Sequence, residues 1–392
     1  MYNVRKIKIG KTEQMDTLAQ ASGDLYRLAV IWFWRTVRRK GIWLSPGALM
    51  RWFNSKKLHA HSADAVVQSF CASLKSWRRL RKAHPEARPP RRCSRYFKVQ
   101  WKESAIRLHN GNLVLANGKG NEPLIVNGWK YSLPVLTEMG WDGRQYELRC
   151  VYKTEAPPKV VGGSVAGVDL GEIHLATVVD GKGAIIVNGR ELRAKRQYQN
   201  KLKGRLAAMI DVKKKGSLRR RRLVRSKRRQ LTRLRNQIKD IHHKQTSRLV
   251  HTLRERGVGT LVIGDVKNIR DDLDYGKKTN QKLHQWTCGE TRRMLEYKSE
   301  RVGMECKLQE ESYTSQTCPA CGYRHKPKGR VFRCPSCGLV CHRDVVGGSN
   351  IRAKYLGTFG SPVVGAMASP IGVRFRPDMR CSALGGDSDA VS

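Results

Sequence analysis

The chain is short of acid. Its 392 residues carry 32 Asp and Glu against 77 Lys and Arg, for a formal net charge of +45 and a pI near 10.4. Self-repulsion on that scale is tolerable when a polyanion is the usual partner, and nucleic acid is the obvious one. Long hydrophobic runs are missing as well. The longest notable one, Leu28–Trp34, falls far short of the ~20 residues a membrane-spanning helix needs. Basic residues lie in runs throughout the chain rather than beside an apolar anchor, which argues against a membrane-surface role. No charged-then-apolar leader with a small-residue cleavage site opens the sequence. The expected location is therefore the cytoplasm of a bacterium or archaeon, in association with the nucleoid. A disulfide framework is absent too. Of eleven cysteines, four stand as two CxxC pairs, while Cys71, Cys93, Cys150, Cys288, Cys306, Cys341 and Cys381 are scattered. Reduced thiols plus a metal site fit that pattern better than secretion does. What is present is ordinary: 40% hydrophobic residues, and a length that allows two or three domains with more than one core.

Periodicity divides the chain. Tyr2–Gly10 alternates apolar and basic residues and reads as a strand. From Met15 a helical pattern gathers Leu18, Leu25, Leu28, Ala29, Trp32 and Phe33 on one face. Ser45-Pro46 reads as an N-cap with proline at the first helical position, and a third helix follows Ser62 with Val66, Val67, Phe70, Leu74 and Trp77 inward. The helical spacing of Trp32, Trp34, Trp43, Trp52 and Trp77 favours core packing over base stacking. After the proline-rich basic break His84–Arg92 the period becomes two. Short strands at Tyr96–Trp101, Ile106–Leu108, Leu113–Leu115, Leu124–Val126 and Tyr146–Tyr152 predict a small barrel or sheet that Tyr2–Gly10 completes.

From Ser164 the order changes. Three strands, the last two at Leu175–Asp180 and Ala184–Val187, precede a very basic helical region, Glu191–Glu255, broken near Lys215-Gly-Ser217. A strand at Leu261–Asp265, a helix at His284–Val302 and a strand at Glu305–Tyr313 follow. That order predicts an RNase H-like α/β domain. Leu231, Leu234, Ile238, Ile241, Leu249 and Leu253 give the basic region an apolar stripe, and Arg219, Arg220, Arg221, Arg222, Lys227, Arg228 and Arg229 crowd its other faces. Many such charges do no more than solvate a helix. A hairpin this lopsided in sign is nonetheless expected to rail a phosphate backbone. Residues 356–392, rich in Gly, Ser and Ala, read as a flexible tail.

Two chemistries meet between Glu310 and Ile351. Cys318-Pro-Ala-Cys321 and Cys334-Pro-Ser-Cys337 are separated by 12 residues. Four thiolates at this spacing close a tetrahedral zinc shell with no open position, a structural site rather than a catalytic one. His342-Arg343-Asp344 follows at a helix start. Upstream, Asp169 is a lone acid in an apolar strand, and burying it without a partner is expensive. Backbone amides are its bland alternative partner, as a turn cap is for Asp344. Two carboxylates on one Mg²⁺ want a third to hold a second ion, and such a clamp stabilises both the attacking and leaving oxygens of phosphodiester cleavage. The end of the fourth strand, where that third acid belongs, is Gly264, with Asp265 next. Glu310 and Glu311 follow the fifth strand, and if it runs parallel beside the fourth, one of them reaches the same cleft. Period two sends them to opposite faces, and spacing leaves the choice open.

Together these residues resemble the TnpB family, transposon-encoded RNA-guided nucleases related to the type V CRISPR effectors. The resemblance covers nearly all of residues 160–355. It rests on Gly167-Val-Asp-Leu-Gly171, Val262-Ile-Gly-Asp265, Gln285-Trp286 with Tyr297-Lys298, Tyr313-Thr-Ser-Gln-Thr-Cys-Pro-Ala-Cys-Gly322, and His342-Arg-Asp-Val345 with Asn350-Ile351. The N-terminal half is similar in layout alone. The likeness implies an α+β, multi-domain protein. A β-barrel-like wedge domain (1–10 and 93–158) is interrupted by a helical recognition insertion (11–92). A RuvC-like nuclease domain (159–355) holds the basic hairpin (191–255) and a zinc ribbon (314–341), and the tail (356–392) follows. It implies a guide RNA made from the transposon end, a short motif beside the target DNA, and Mg²⁺-dependent cutting in which base pairing supplies sequence specificity. Asp169 and Asp344 match the family's first and third catalytic acids. The usual middle Glu falls on Gly264. Some members look rearranged, with a Glu two residues before Tyr-Thr-Ser, where Glu311 stands here. The resemblance therefore gives Glu311 the middle role, with Glu310 and Asp265 as fallbacks, and makes Asp169, Glu311 and Asp344 the magnesium ligands. Two other readings remain: a guided binder without nuclease activity, and a non-guided accessory protein of transposition.

Overall fold

A computed structural model describes residues 1–92, 95–143, 145–266, 274, 276–359 and 371–373. They fall into two units, Met1–Glu155 and Ala156–Ser392.

In the first unit, the N-terminal alternation forms β1 (Tyr2–Ile9), which pairs antiparallel with β7 (Tyr146–Lys153) from Tyr2↔Lys153 to Ile9↔Tyr146. With β6 (Leu136–Trp141) and β2 (Val99–Lys102) they make a sheet of order β1-β7-β6-β2. β3 (Ile106–His109), β4 (Asn112–Leu115) and β5 (Leu124–Val126) form a separate three-stranded antiparallel sheet. The barrel expectation is thereby corrected: both sheets are open, and the described residues form no closed barrel. The cause is local. β2 runs for four residues before a turn at Glu103–Ala105 diverts the chain into the second sheet.

Three helices lie between β1 and β2. α1 (Glu13–Lys40) is capped by Thr12, whose hydroxyl accepts from Met15 N. Glu13 and Asp16 sit in its first turn and Arg38, Arg39 and Lys40 in its last, complementing the helix dipole, and Gly41 ends it at φ 66. α2 (Pro46–Trp52) begins at the Ser45 cap, and α3 (Ala60–Ala83) packs on α1. Leu25, Ala29 and Phe33 meet Val67, Phe70 and Leu74 in a core that Trp101 and Leu148 join from the sheet. Each fully buried aliphatic or Phe side chain there contributes about 1.5–3 kcal/mol. The tryptophans depart from expectation. Trp77 is buried and Trp34 half-buried, but Trp32, Trp43 and Trp52 are exposed, Trp52 at 64%. Smaller residues such as Leu18, Ala29 and Phe33 fill the inner face instead, and Arg35 and Arg78 cover the Trp32 and Trp43 rings.

The second unit is built on a six-stranded sheet of order β12-β11-β8-β9-β10-β15. β8 (Ser164–Asp169), β9 (His174–Asp180) and β10 (Gly183–Asn188) are an antiparallel meander. β11 (Val258–Gly264) runs parallel beside β8, and β12 (Glu305–Gln309) parallel beside β11. β11 is a continuous apolar run because it is covered on both faces. Leu261 and Ile263 join Ala166 and Val168 in a core with α4 (Arg190–Asp211), α5 (Leu218–Glu255) and α7 (Cys288–Glu300). The other face meets α8 (Arg343–Leu356), which approaches so closely that a Cβ on Gly167 would lie 2.6 Å from Arg352 N.

The break between α4 and α5 falls at 212–217, with Gly216 at φ 86 and Ser217 capping α5. The single helix expected at His284–Val302 is instead α6 (Gly276–Gln285) and α7, divided at Trp286-Thr287, where Trp286 Nε1 donates to Gly171 O at 2.9 Å. The last long strand stops at Gln309, four residues early, so period two does not govern Glu310 and Glu311. Ile371–Val373 is a short strand, β15, added in parallel to β10, where a flexible tail was expected. The rest of that tail, 360–370 and 374–392, lies outside the described residues, as do Cys93 and Cys381.

Candidate metal centres

The four cysteines come together through two copies of one turn. Gly322 N donates to Cys318 O and Gly338 N to Cys334 O, at 2.9 and 3.0 Å, and both glycines sit in the left-handed region, φ 73 and 74. A side chain at either position would strain the turn. Cys318 and Cys337 Sγ lie 3.6 Å apart and Cys321 and Cys334 Sγ 3.5 Å, with all four within 4.8 Å of one another. Zinc–sulfur bonds of about 2.3 Å place tetrahedral sulfurs about 3.8 Å apart, so the set fits that ion. β13 (Val331–Arg333) and β14 (Val340–His342) brace the turns, and Phe332 packs with Cys318, Cys334 and Val346 of α8. Cys341 points into that apolar packing, and burial pushes its thiol up to about 11.

The carboxylates converge on the α8 face of the sheet. Asp169 lies two residues beyond Gly167, so the alternation of β8 turns both toward α8. Gly347 makes the room: a Cβ there would stand 2.6 Å from Asp169 Oδ2. Asp344 occupies the first turn of the same helix, capped by His342, whose Nδ1 accepts from Asp344 N at 3.2 Å. Its Oδ2 lies 2.7 Å from His174 Nδ1 and accepts from the Arg330 guanidinium at 2.9 Å.

Gly264 ends β11 on that same face, one position past the paired Ile263 and Val168. A Cβ on Gly264 would collide with Glu311 Oε2 and lie 2.9 Å from Ile351 Cδ1. The carboxylate of Glu311 thus fills the volume that a side chain at 264 would occupy. Electrostatics agrees. Asp169 is pushed up to about 8, first by burial and then by the negative charges of Asp344 and Glu311. Glu311 is also raised, by burial and then by Asp265 and Glu310. The two fallback acids are engaged elsewhere. Glu310 is 62% exposed and bound to Ser312 and Lys354, which hold it down at about 2. Asp265 pairs with Arg292 at 3.4 Å.

Sequence reasoning did not find His174, Arg330 or Gly347. A helix that carries Gly347-Gly348 in its interior carries about 1 kcal/mol per glycine relative to alanine, which was a usable sign of close approach. His174 and Arg330 are distant in sequence from Asp344 and carried no sign.

The basic residues of α5 divide in two. Arg219, Arg221, Arg222, Arg228 and Arg229 are exposed and Lys227 is half-buried. Arg220 differs: its NH1 donates to Ile210 O at 2.6 Å and Lys213 O at 3.1 Å, satisfying carbonyls at the end of α4. Among the described residues no helix is long and apolar enough to cross a membrane.

Comparison with known proteins places these features. A family model described as "Probable transposase" matches residues 149–270, and one described as "Cas12f1-like, TNB domain" matches 289–351. The TnpB-like protein MJ0751 of Methanocaldococcus jannaschii is 30% identical over 136 residues, 34% of this chain and 49% of that one. The TnpB-like protein ORF457 of Acidianus two-tailed virus is 27% identical over 245 residues, 59% of this chain and 51% of that one. The matches thus span about half the length of these relatives. A Cas12f1 of Sulfoacidibacillus thermotolerans, named a CRISPR-associated endodeoxyribonuclease, is 28% identical over 113 residues, 28% of this chain and 25% of that one. In fold, the chain is similar to the protein of a Cas12f1–sgRNA–target DNA complex, with a TM-score of 0.60, 13% identity, and coverage of 86% and 81%. The mini-RNA-guided endonuclease Cas_phi3 gives 0.51, with 10% identity and 93% of each chain covered. The architecture is a mixed α+β, multi-domain one similar to Cas12 effectors, and in sequence the chain is similar to TnpB-like proteins over about a third to three fifths of its length.

Proposed function

We propose that the protein is an RNA-guided DNA endonuclease encoded by a transposable element, which cuts at a RuvC-like site on an RNase H-like domain. One observation carries the reading: Glu311 fills the space over Gly264 and, with Asp344, raises Asp169. Asp169 thus senses carboxylates from two further segments, and the strand order β12-β11-β8-β9-β10 supports the RNase H-like assignment. The relatives' printed names, an endodeoxyribonuclease and complexes with guide RNA and target DNA, supply the substrate class.

A divalent cation fits the donor set. Hard oxygen ligands suit Mg²⁺, and an acid pushed up to about 8 by burial and then by neighbouring negative charges is one that a cation would relieve. Asp169, Glu311 and Asp344 are the residues that would hold it. When bound, two such ions stabilise the attacking and leaving oxygens of a phosphodiester. The protein's own groups do the rest. His174 and Arg330 fix the Asp344 carboxylate, and Gly347 and Gly264 keep the space over the sheet clear. The exposed arginines of α5 rail the nucleic-acid backbone, and the zinc ribbon clips the segments bearing Glu311 and Asp344 together. A guide RNA from the transposon end would supply sequence specificity, in the cytoplasm and at the nucleoid.

The test is purification from cells with sequencing of the accompanying RNA, followed by incubation with complementary DNA and Mg²⁺. A defined RNA and guided cleavage are expected. A defined RNA with guided binding but no cleavage would favour a nuclease-inactive binder, the reading that the missing acid at Gly264 supports. Absence of any defined RNA would favour a non-guided accessory protein.

A further inference from the structure

We infer that Lys354, acting with Asn350 one helical turn before it, is the positioning residue that holds Glu311 in the cleft. The inference rests on the proposed role of Glu311. Glu311 stands beyond the end of β12, on a segment with no ladder hydrogen bonds of its own. The segment also turns sharply at Tyr313, whose φ of 64 is unfavourable for a residue with a side chain. Something outside the segment must fix it.

α8 does so through two side chains spaced i, i+4 on one face. Asn350 is buried, and its Nδ2 donates to Thr314 O and Thr317 O, both at 2.7 Å. Lys354, 16% exposed at its side chain, donates from Nζ to Ser312 O at 2.7 Å and to Glu310 Oε2 at 2.9 Å. Glu310 in turn accepts from Ser312 N at 2.6 Å, and Glu311 O accepts from the Thr314 hydroxyl at 2.8 Å. Glu311 is therefore bracketed on both sides by groups anchored to α8. The same helix carries Asp344 in its first turn and leaves room for Asp169 at Gly347. A single rigid element thus sets all three acids, and Lys354 extends its control to the one that comes from outside the sheet.

The experiment titrates Mn²⁺, a spectroscopically visible probe of a hard-oxygen site, into the full-length protein and reads binding by electron paramagnetic resonance, independently of any guide. Glu311→Ala should weaken Mn²⁺ binding by tenfold or more, and Lys354→Met by about tenfold, the size typical of losing a residue that orients a ligand. Lys354→Arg, which keeps the charge and donors, should restore binding to within about twofold of wild type. Zinc content should be unchanged in all three. Wild-type Mn²⁺ affinity in Lys354→Met, alongside weak binding in Glu311→Ala, overturns the inference and leaves the proposed site standing. Wild-type affinity in Glu311→Ala overturns both. Should Lys354→Met fail to fold, Glu310→Gln at the exposed partner carries the test, with a smaller weakening expected and no change overturning the inference.

Discussion

The cysteine turns and the acid cleft are both metal sites in prospect, yet they are assembled in opposite ways. The zinc-type site is local. Each Cys-Pro-X-Cys-Gly segment folds on itself around one hydrogen bond and one left-handed glycine, and two copies placed face to face suffice. The acid cleft is topological. Asp169, Glu311 and Asp344 come from a strand end, a turn and a helix start, brought to one face of the sheet because β11 runs parallel beside β8, β12 parallel beside β11, and α8 packs across that face. A local site tolerates rearrangement of the fold around it, while a topological site tolerates relocation of a ligand, provided that the new origin delivers the carboxylate to the same volume. Under the proposed function, Gly264 and Glu311 are such a relocation.

The difference can be broken from either side. The largest effects should come from the acids themselves. Asp169→Ala or Asp344→Ala is expected to lower guided cleavage on the order of 10²–10³-fold, the scale of losing one group that stabilises developing charge, with RNA binding intact in a pull-down. Cys318→Ser or Cys334→Ser should remove zinc, measured by elemental analysis, and open 314–341 to protease. Cleavage should fall as a consequence, because the segment bearing Glu311 loses its clip.

Gly264→Ala should act through Glu311. The added methyl occupies the carboxylate's place, and displacing a ligand by about 1 Å is worth about 10²-fold. Single-turnover rates measure this, and an unchanged rate would mean that Glu311 does not work from that volume.

A pH series separates the two sites further. Asp169 sits near 8 in the folded protein against 3.8 ordinarily. Its charged form is therefore penalised, and its contribution to folding falls as pH rises from about 4 to about 8. Cation binding, which needs the carboxylate, should strengthen over the upper part of that range, and saturating Mg²⁺ should flatten the fall in stability. Thermal melts with and without Mg²⁺ read both. Smallest of all is the division among the arginines. Arg220→Ala should cost about 1 kcal/mol of stability through lost carbonyl capping. Arg221→Ala and Arg222→Ala should each reduce the salt dependence of nucleic-acid binding by about one counterion with stability unchanged.

Legibility followed the same line between local and topological. The Ser45-Pro46 cap, the alternation of β1, the apolar β11 and the twin knuckles are written in neighbouring residues, and each has its structural counterpart. The open sheets were not legible, because whether an edge closes depends on a turn at Glu103–Ala105 rather than on the strands. Nor were the exposed tryptophans, since their helical spacing matches a core stripe that smaller residues fill. Between Glu310 and Glu311 periodicity had no say once β12 stopped at Gln309. His174, Arg330 and Lys354 are distant in sequence from the acids they serve, and the packing of α8 brings them there.

The central claim, that Glu311 replaces the acid missing at Gly264, is tested most directly by guided cleavage in Glu311→Ala and in the double variant Glu311→Ala/Gly264→Glu. The account predicts that the first loses cleavage and that the second, supplying a carboxylate to the same volume from β11, regains a substantial part of it. Full cleavage by Glu311→Ala alone would contradict it.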